Sequence, residues 1–214
     1  MKNNDLKCAV FPAGPIETNM YLVYAEQGDA ALIDPVELTD KLLEFISRSK
    51  LKIGAILITH THVDHMHAAS LAVEKFNVPI YMHSAAEKMR QFYEETCEML
   101  DFPRNTIPND YIACDKLEKI AFGDAELSIL TSPGHSPCGL MFYCDKFLIS
   151  GDLLFKGSIG RYDLHLASLP LLYQSLKKLS SFPDELVIYP GHGPSTTLGF
   201  ERKNNPYFAF SSKK

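Results

Sequence analysis

Four histidines and a carboxylate fall within nine residues, Thr59-His60-Thr61-His62-Val63-Asp64-His65-Met66-His67. They follow an apolar run, Ile56-Leu57-Ile58, that reads as a buried strand. Imidazoles and a carboxylate at the end of a buried strand are costly to desolvate unless a charged group binds among them. Neutral imidazole and carboxylate suit zinc, iron or manganese. Three later stretches repeat the pattern of apolar strand, glycine turn and metal-competent side chain. Ile129-Leu130-Thr131 leads to Gly134-His135, Leu148-Ile149-Ser150 to Gly151-Asp152, and Val187-Ile188-Tyr189 to Gly191-His192. Strand ends are rigid, and the loops leaving them are where α/β folds build sites. If these ends share one edge, His60, His62, Asp64, His65, His135, Asp152 and His192 come together. That is too many ligands for one tetrahedral zinc. It suits two metals sharing a bridging carboxylate, about 3.5–4 Å apart, with a hydroxide between them; the pKa of the parent water falls from about 15.7 towards about 7. None of the five cysteines is spaced to close a structural zinc site, so open, hydrolytic chemistry is expected.

The elements that must position these residues form two similar halves, each reading strand, strand, strand, helix, strand. In the first, residues 6–11, 20–24 and 30–34 are strands, with Pro12-Ala13-Gly14-Pro15 breaking the first of them. Thr39 or Asp40 caps a helix carrying Leu42, Leu43, Phe45 and Ile46, and 53–59 is the strand that delivers the opening motif. Residues 68–76 read as a helix, 79–82 as a short strand, and Ser84 caps a helix running to about Leu100. A long loop, 101–116, follows. In the second half, 117–122, 126–131, 140–144, 147–150 and 186–189 are strands, and 166–180 is an amphipathic helix. The economical arrangement is α/β: a four-layer αββα sandwich of two mixed β-sheets with outer helices. Residues 1–214 are expected to form a single domain of two pseudo-repeated halves.

A chain of 214 residues can bury a full core. Hydrophobic content of 46% and charged content of 22% are those of an ordinary globular protein. A net charge of −5 without a Lys/Arg cluster argues against nucleic-acid or anionic-lipid partners. No apolar run approaches the roughly 20 residues of a membrane span. Scattered cysteines without CxxC spacing suggest a reducing compartment, so the expected location is cytoplasmic. The expected partner is a small-molecule thioester or ester, with neither nucleic acid nor membrane.

With these motifs in order, the chain resembles the metallo-β-lactamase superfamily. Thr59-His60-x-His62-x-Asp64-His65 matches its signature, and Gly134-His135, Gly151-Asp152 and Gly191-His192 match its later motifs. The resemblance implies one metal on His60, His62 and His135, and a second on Asp64, His65 and His192, with Asp152 bridging; Asp64 and Asp152 are then the catalytic carboxylates. Asp152 itself, the segment Leu154-Phe155-x-Gly157-Ser158-Ile159-Gly160-Arg161-Tyr162-Asp163 and the stretch from Thr196 to Pro206 resemble the small glyoxalase II-like (hydroxyacylglutathione hydrolase-like) branch. This implies a zinc-loaded dimetal hydrolase of a small thioester, without the C-terminal helical domain that helps glyoxalase II bind glutathione. Alternative readings on the same fold are a mononuclear iron persulfide dioxygenase using His60, His135 and Asp152, and a lactonase. Arg161 is a candidate substrate-binding cation, or else the partner of Asp152 or Asp163. His67 reads as a rim histidine, His83 as a structural or capping residue, His165 as a surface residue, Cys138 as a small buried side chain, and Arg202-Lys203 as a solvated helix end.

Overall fold

The computed structural model describes residues 6–100, 102–103 and 107–208. The first half lays down β1 (Lys7–Ala13), β2 (Thr18–Tyr24), β3 (Asp29–Ile33), β4 (Lys52–Leu57), β5 (Ile80–Met82) and β6 (Ile112–Ala113) as one sheet in that order. β1 to β3 pair antiparallel and β3 to β6 parallel. The second half contributes β7 (Lys119–Phe122), β8 (Ala125–Thr131), β9 (Leu140–Tyr143), β10 (Phe147–Gly151), the separate hairpin of β11 (Leu154–Phe155) and β12 (Ser158–Ile159), then β13 (Val187–Pro190) and β14 (Thr196–Thr197). Its sheet runs β14-β13-β10-β9-β8-β7, mixed like the first, with β10 and β13 parallel. The helices are α1 (Asp40–Arg48), α2 (Val63–Met66), α3 (Ala69–Phe76), α4 (Arg90–Met99), α5 (Leu169–Lys178) and α6 (Leu198–Asn204).

Strand periodicity explains the layers. Side chains alternate faces along a strand, and here both faces of the central strands are apolar. In β2, Met20 and Leu22 pack outward with Leu42 and Ile46 of α1 and Ala69 and Ala72 of α3, while Tyr21 and Val23 pack inward with the second sheet. The inner layer joins Ile33 and Leu57 to Leu127, Phe142 and Ile149. On the far side, Met141, Leu148 and Ile188 meet Leu172 and Leu176 of α5 and Leu198 of α6. Three apolar layers between four structural layers make the αββα sandwich. Among the described residues no helix is long and apolar enough to cross a membrane, and none of the five cysteines is in a disulfide.

Local chemistry shifts several boundaries. β1 continues through Pro12 to Ala13, because it is an edge strand and proline's missing N–H faces no partner there. The helix expected over 84–100 begins as a 3₁₀ turn, Ser84–Met89, and becomes α4 only at Arg90. Its cap is His83, whose Nδ1 accepts from the Ala85 N–H at 2.9 Å. Ser84 is unavailable as a cap, since its N–H and hydroxyl both donate to Asp115 at 2.7 and 3.0 Å. Leu166 has φ of 57°, in the left-handed region, so α5 starts later, at Leu169 behind Ser168. Arg202 is not solvated as expected: its Nη2 donates to the carbonyls of Leu179, Ser180 and Phe182 at 2.9, 3.1 and 2.7 Å, and it pairs with Asp184. It thereby satisfies carbonyls left open where the chain leaves α5.

The turn before His135 is clamped to α5. Ser168 N–H donates to the Gly134 carbonyl and Ser175 Oγ to that of Pro133, both at 2.7 Å. Gly134 sits at φ 146°, and a Cβ there would lie 2.3 Å from Leu172 Cα on the helix backbone. Gly134→Ala is therefore expected to lower unfolding free energy by about 3 kcal/mol or more, through strain and overpacking together. Urea denaturation measures this, and a loss within about 0.5 kcal/mol, the range of a neutral surface change, would contradict the close approach.

Candidate metal centre

The seven residues singled out in the sequence meet at one edge of the sandwich. His60 and His62 follow β4, and His62 is the N-cap of α2, the single turn that presents Asp64 and His65. His135 follows β8, Asp152 follows β10, and His192 follows β13. All but His192 and Asp152 are in the buried class, and those two are largely covered.

Their atoms form two sets. In the first, His62 Nδ1 lies 3.1 Å from His60 Nε2 and 2.9 Å from His135 Nε2. In the second, His65 Nε2 lies 3.2 Å from Asp64 Oδ2 and 3.3 Å from Asp152 Oδ1, and His192 Nε2 lies 3.2 Å from Asp64 Oδ2. Asp152 faces both: its Oδ2 is 3.5 Å from His135 Nε2 and 3.7 Å from His192 Nε2. Potential ligand atoms of His60, His62 and His135, of His60, His65 and Asp152, and of Asp64, His65 and His192 each lie within 4.8 Å of one another.

The outer atoms of the rings decide what the inner atoms present. The carbonyl of Arg161 accepts from His135 Nδ1 at 2.8 Å, and that of Ile16 from His192 Nδ1 at 3.2 Å. Asp34 Oδ2 accepts from His65 Nδ1 at 2.9 Å. The Thr59 hydroxyl donates to Asp34 Oδ2 at 2.6 Å, which leaves its oxygen to accept from His60 Nδ1 at 3.1 Å. In all four rings Nδ1 carries a proton outward and Nε2 is the atom turned to the centre. His62 Nδ1 thus meets the inward Nε2 atoms of both His60 and His135 within hydrogen-bond distance, with at most one proton of its own for the two. His65 Nε2 and Asp152 Oδ1 are buried without a hydrogen-bond partner. Such a set fits divalent cations, and the outer acceptors are the kind that fix metal-bound histidines.

Charge is divided between the sets. Burial pushes His60 well below its ordinary range, and His65, His62 and His135 push the same way. Burial followed by His135 takes His62 down to about 3. His60 and His62 are thus neutral imidazole, the form that binds metal. In the second set burial opposes the charged forms and is outweighed. His65, His135 and His192 hold Asp152 at about 2 against burial, and Asp64 lies well below its usual range for the same reason, with His65 the main cause. Asp64, Asp152 and Asp34 raise His65 well above its ordinary range.

The neighbouring loops explain the placement. Asn19 donates its N–H to the Gly191 carbonyl at 2.7 Å, and its Nδ2 to the carbonyls of Pro190 and Gly193 at 2.9 and 2.8 Å. The Tyr21 hydroxyl donates to the Pro190 carbonyl at 2.6 Å. The first sheet therefore holds the His192 loop of the second. Thr18 Oγ1 donates to Asp64 Oδ2 at 3.2 Å. Asp34, Thr18, Asn19 and Tyr21 were not foreseen as site residues. For Asp34 a signal existed: Ala30 to Ile33 followed by an aspartate repeats the pattern of apolar strand and metal-competent side chain.

Other singled-out residues stand apart. Arg161 lines the adjoining cavity, but its guanidinium is on the surface, bound by two 3.0 Å hydrogen bonds to Asp163. His67 belongs to none of the converging sets and packs on Phe102, with ring centroids 4.9 Å apart. Cys138 is buried, its Sγ 3.2 Å from Thr61 Oγ1 and 3.0 Å from Ser136 Oγ. His165 stacks on Phe92, with centroids 5.6 Å apart.

Comparison with known proteins gives consistent matches. The family model Lactamase_B, described as the metallo-beta-lactamase superfamily, matches residues 13–192. Hydroxyacylglutathione hydrolase GloC of Haemophilus influenzae is 31% identical over 207 residues, covering 92% of this chain and 96% of its own length. Among solved structures, the BLEG-1 B3 metallo-beta-lactamase superposes with a TM-score of 0.85 at 33% identity, covering 94% of this chain and 99% of that one. TTHA1623, solved in a di-iron-bound form, superposes with a TM-score of 0.83 at 37% identity, covering 93% and 99%.

Two substitutions outside the seven test this geometry. Asp34→Ala removes the acceptor shared by His65 and Thr59, and is expected to weaken metal binding by about 10–100-fold. Gly191→Ala would place a Cβ 2.1 Å from Asp152 Oδ1 and 2.6 Å from His65 Cε1, so it is expected to disturb the carboxylate-rich set first. Titration of metal-free protein against a chromophoric chelator reads both. Wild-type affinity in the two variants would refute the tight coupling.

Proposed function

The chain belongs to the metallo-beta-lactamase superfamily, and from that premise we propose that it is a dimetal hydrolase of small thioesters, akin to hydroxyacylglutathione hydrolases. The observation that carries the reading is Asp152. Its two oxygens face the two sets, at 3.3 Å from His65 and at 3.5 and 3.7 Å from His135 and His192. We assign His60, His62 and His135 to one ion, Asp64, His65 and His192 to the other, and Asp152 to both. Zinc is the proposed metal, and the di-iron form of TTHA1623 makes iron the natural competitor.

A bound pair of divalent cations supplies Lewis acidity and a water acidified into the neutral range. The protein's own residues do the rest. The Nδ1 hydrogen bonds to Thr59, Asp34, Arg161 and Ile16 keep four imidazoles oriented with Nε2 toward the centre. Asp152 and Asp64, held ionised, balance the cationic charge. The rigid strand ends keep these groups in place, so little reorganisation accompanies reaction. A thiolate, with thiol pKa about 8.5, leaves without a strong general acid. That suits a cavity whose hydroxyl among the described residues, Thr96, already donates to the carbonyls of Phe92 and Tyr93 at 2.8 and 3.1 Å.

The test is metal content of protein purified without added metal, joined to turnover of S-lactoylglutathione, neutral thioesters, acyl-homoserine lactones and a chromogenic β-lactam. Two ions per chain with thioesters turned over best are expected. One iron per chain with oxygen uptake on glutathione persulfide would replace this reading, as would a preference for lactone or β-lactam. Asp152→Ala is expected to lower the metal content to at most one ion and kcat/KM by at least about 100-fold, the scale lost with a key electrostatic contact; retained turnover would remove the bridging role.

A further inference from the structure

The metal centre opens into a cavity of about 490 Å³. One wall is α4, where Phe92, Thr96, Met99 and Leu100 recur at helical spacing and line the cavity. Tyr93 and Cys97 are buried in the outer apolar layer and Leu100 packs against it, whereas Phe92 and Met99 belong to none of the apolar layers. Met99 is 72% exposed. A single exposed apolar side chain is ordinary, but a contiguous apolar lining such as Phe92, Met99 and Leu100 make here is a mark of a binding cavity. Ile16 and Leu164 face the same space from loops, and Phe155 from β11. Beyond the histidines of the metal centre, the only basic side chain lining it among the described residues is Arg161, committed to Asp163. α4 also carries exposed Glu94, Glu95 and Glu98, and its one basic residue, Arg90, pairs with Glu87 through two 2.8 Å hydrogen bonds. Among the described residues, an anionic carrier such as glutathione meets no unpaired basic side chain in the wall beyond the metal centre, and an acidic helix stands beside it.

We infer that this cavity receives an apolar acyl chain, so that the preferred substrates are thioesters of apolar acids, selected by Phe92 and Met99, and the charges of a glutathione carrier contribute nothing to recognition. The reaction rests on the hydrolase reading above; the binding preference rests on the cavity alone. Selection follows from burial, since each methylene removed from water tightens binding about fourfold until the cavity is full.

The experiment uses the metal-loaded protein and thioester analogues that cannot be hydrolysed. These are S-(2-oxoalkyl) thioethers, with a methylene between sulfur and carbonyl, on N-acetylcysteamine and on glutathione, with alkyl arms graded from short to medium length. Calorimetry is expected to show Kd falling about fourfold per methylene on both carriers, with less than about a threefold difference between carriers of equal arm. Met99→Lys, at an exposed position where the fold tolerates it, is expected to flatten the dependence on arm length, and Phe92→Ser to do the same. A Kd indifferent to arm length, a glutathione carrier binding about tenfold tighter or more, or an unchanged slope in both variants would overturn the inference. Acyl thioesters of the same arms are then assayed for turnover. Arm-dependent binding without hydrolysis of any of them sustains the apolar subsite and removes the hydrolase reading. Hydrolysis together with arm-independent binding does the reverse.

Discussion

The structure depends on burying seven polar side chains that share too few protons to satisfy one another. His60 Nε2 and His135 Nε2 both face His62 Nδ1 within about 3 Å, and two carboxylates lie within contact of His65 and His192. Desolvated groups of this kind are unfavourable unless each has a partner. The surroundings supply partners on the outside and leave the inside to a cation. Asp34 is the clearest case: one carboxylate takes the Thr59 N–H at 2.7 Å, the Thr59 hydroxyl and the His65 ring. It ties the ends of β3 and β4 together while orienting two histidines, the second through Thr59.

The two halves are needed together. The first sheet provides four of the seven groups, and the second provides His135, Asp152 and His192. Neither half closes the site, and Asp152 stands where they meet. Asn19 and Tyr21 reach from β2 to the loop after β13, so the seam is locked at the edge where alignment matters most. The inner apolar layer, with Tyr21, Leu57, Phe142 and Ile149, sets the distance between the sheets behind it. A buried layer packed to crystal-like density resists shear, and that stiffness passes to the loops it carries.

Chemistry and recognition are built from different material. The centre is made of imidazole and carboxylate on strand ends, the cavity beside it of side chains on α4, on β11 and on the loops of Ile16 and Leu164. Strand ends are costly to alter because each also serves the core. Phe92 and Met99 lie outside the apolar layers, so the cavity wall they form can change with little effect on the centre.

Much of this was readable in the sequence because the physics is local. Continuous apolar runs in Met20–Val23 and Ala30–Ile33 signal strands covered on both faces, and from that the four layers follow. The recurring strand, glycine turn and histidine or aspartate signals the seven polar residues at strand ends. Periodicity could not foresee what depends on partners distant in sequence. Ser84 lost its capping role to Asp115, Arg202 was drawn to carbonyls after α5, and Arg161 lent its carbonyl to His135 while its charge went to Asp163. Asp34 carried a signal in the sequence, but its role appears only where β3 and β4 lie side by side. The sequence alone determined which side chains can hold a cation, since that is a property of their atoms and of the strands before them. Only the tertiary structure decided that Asp152 stands between two sets, which nitrogen of each ring turns inward, and that the adjoining wall is apolar, because these are matters of distance between residues up to 176 positions apart.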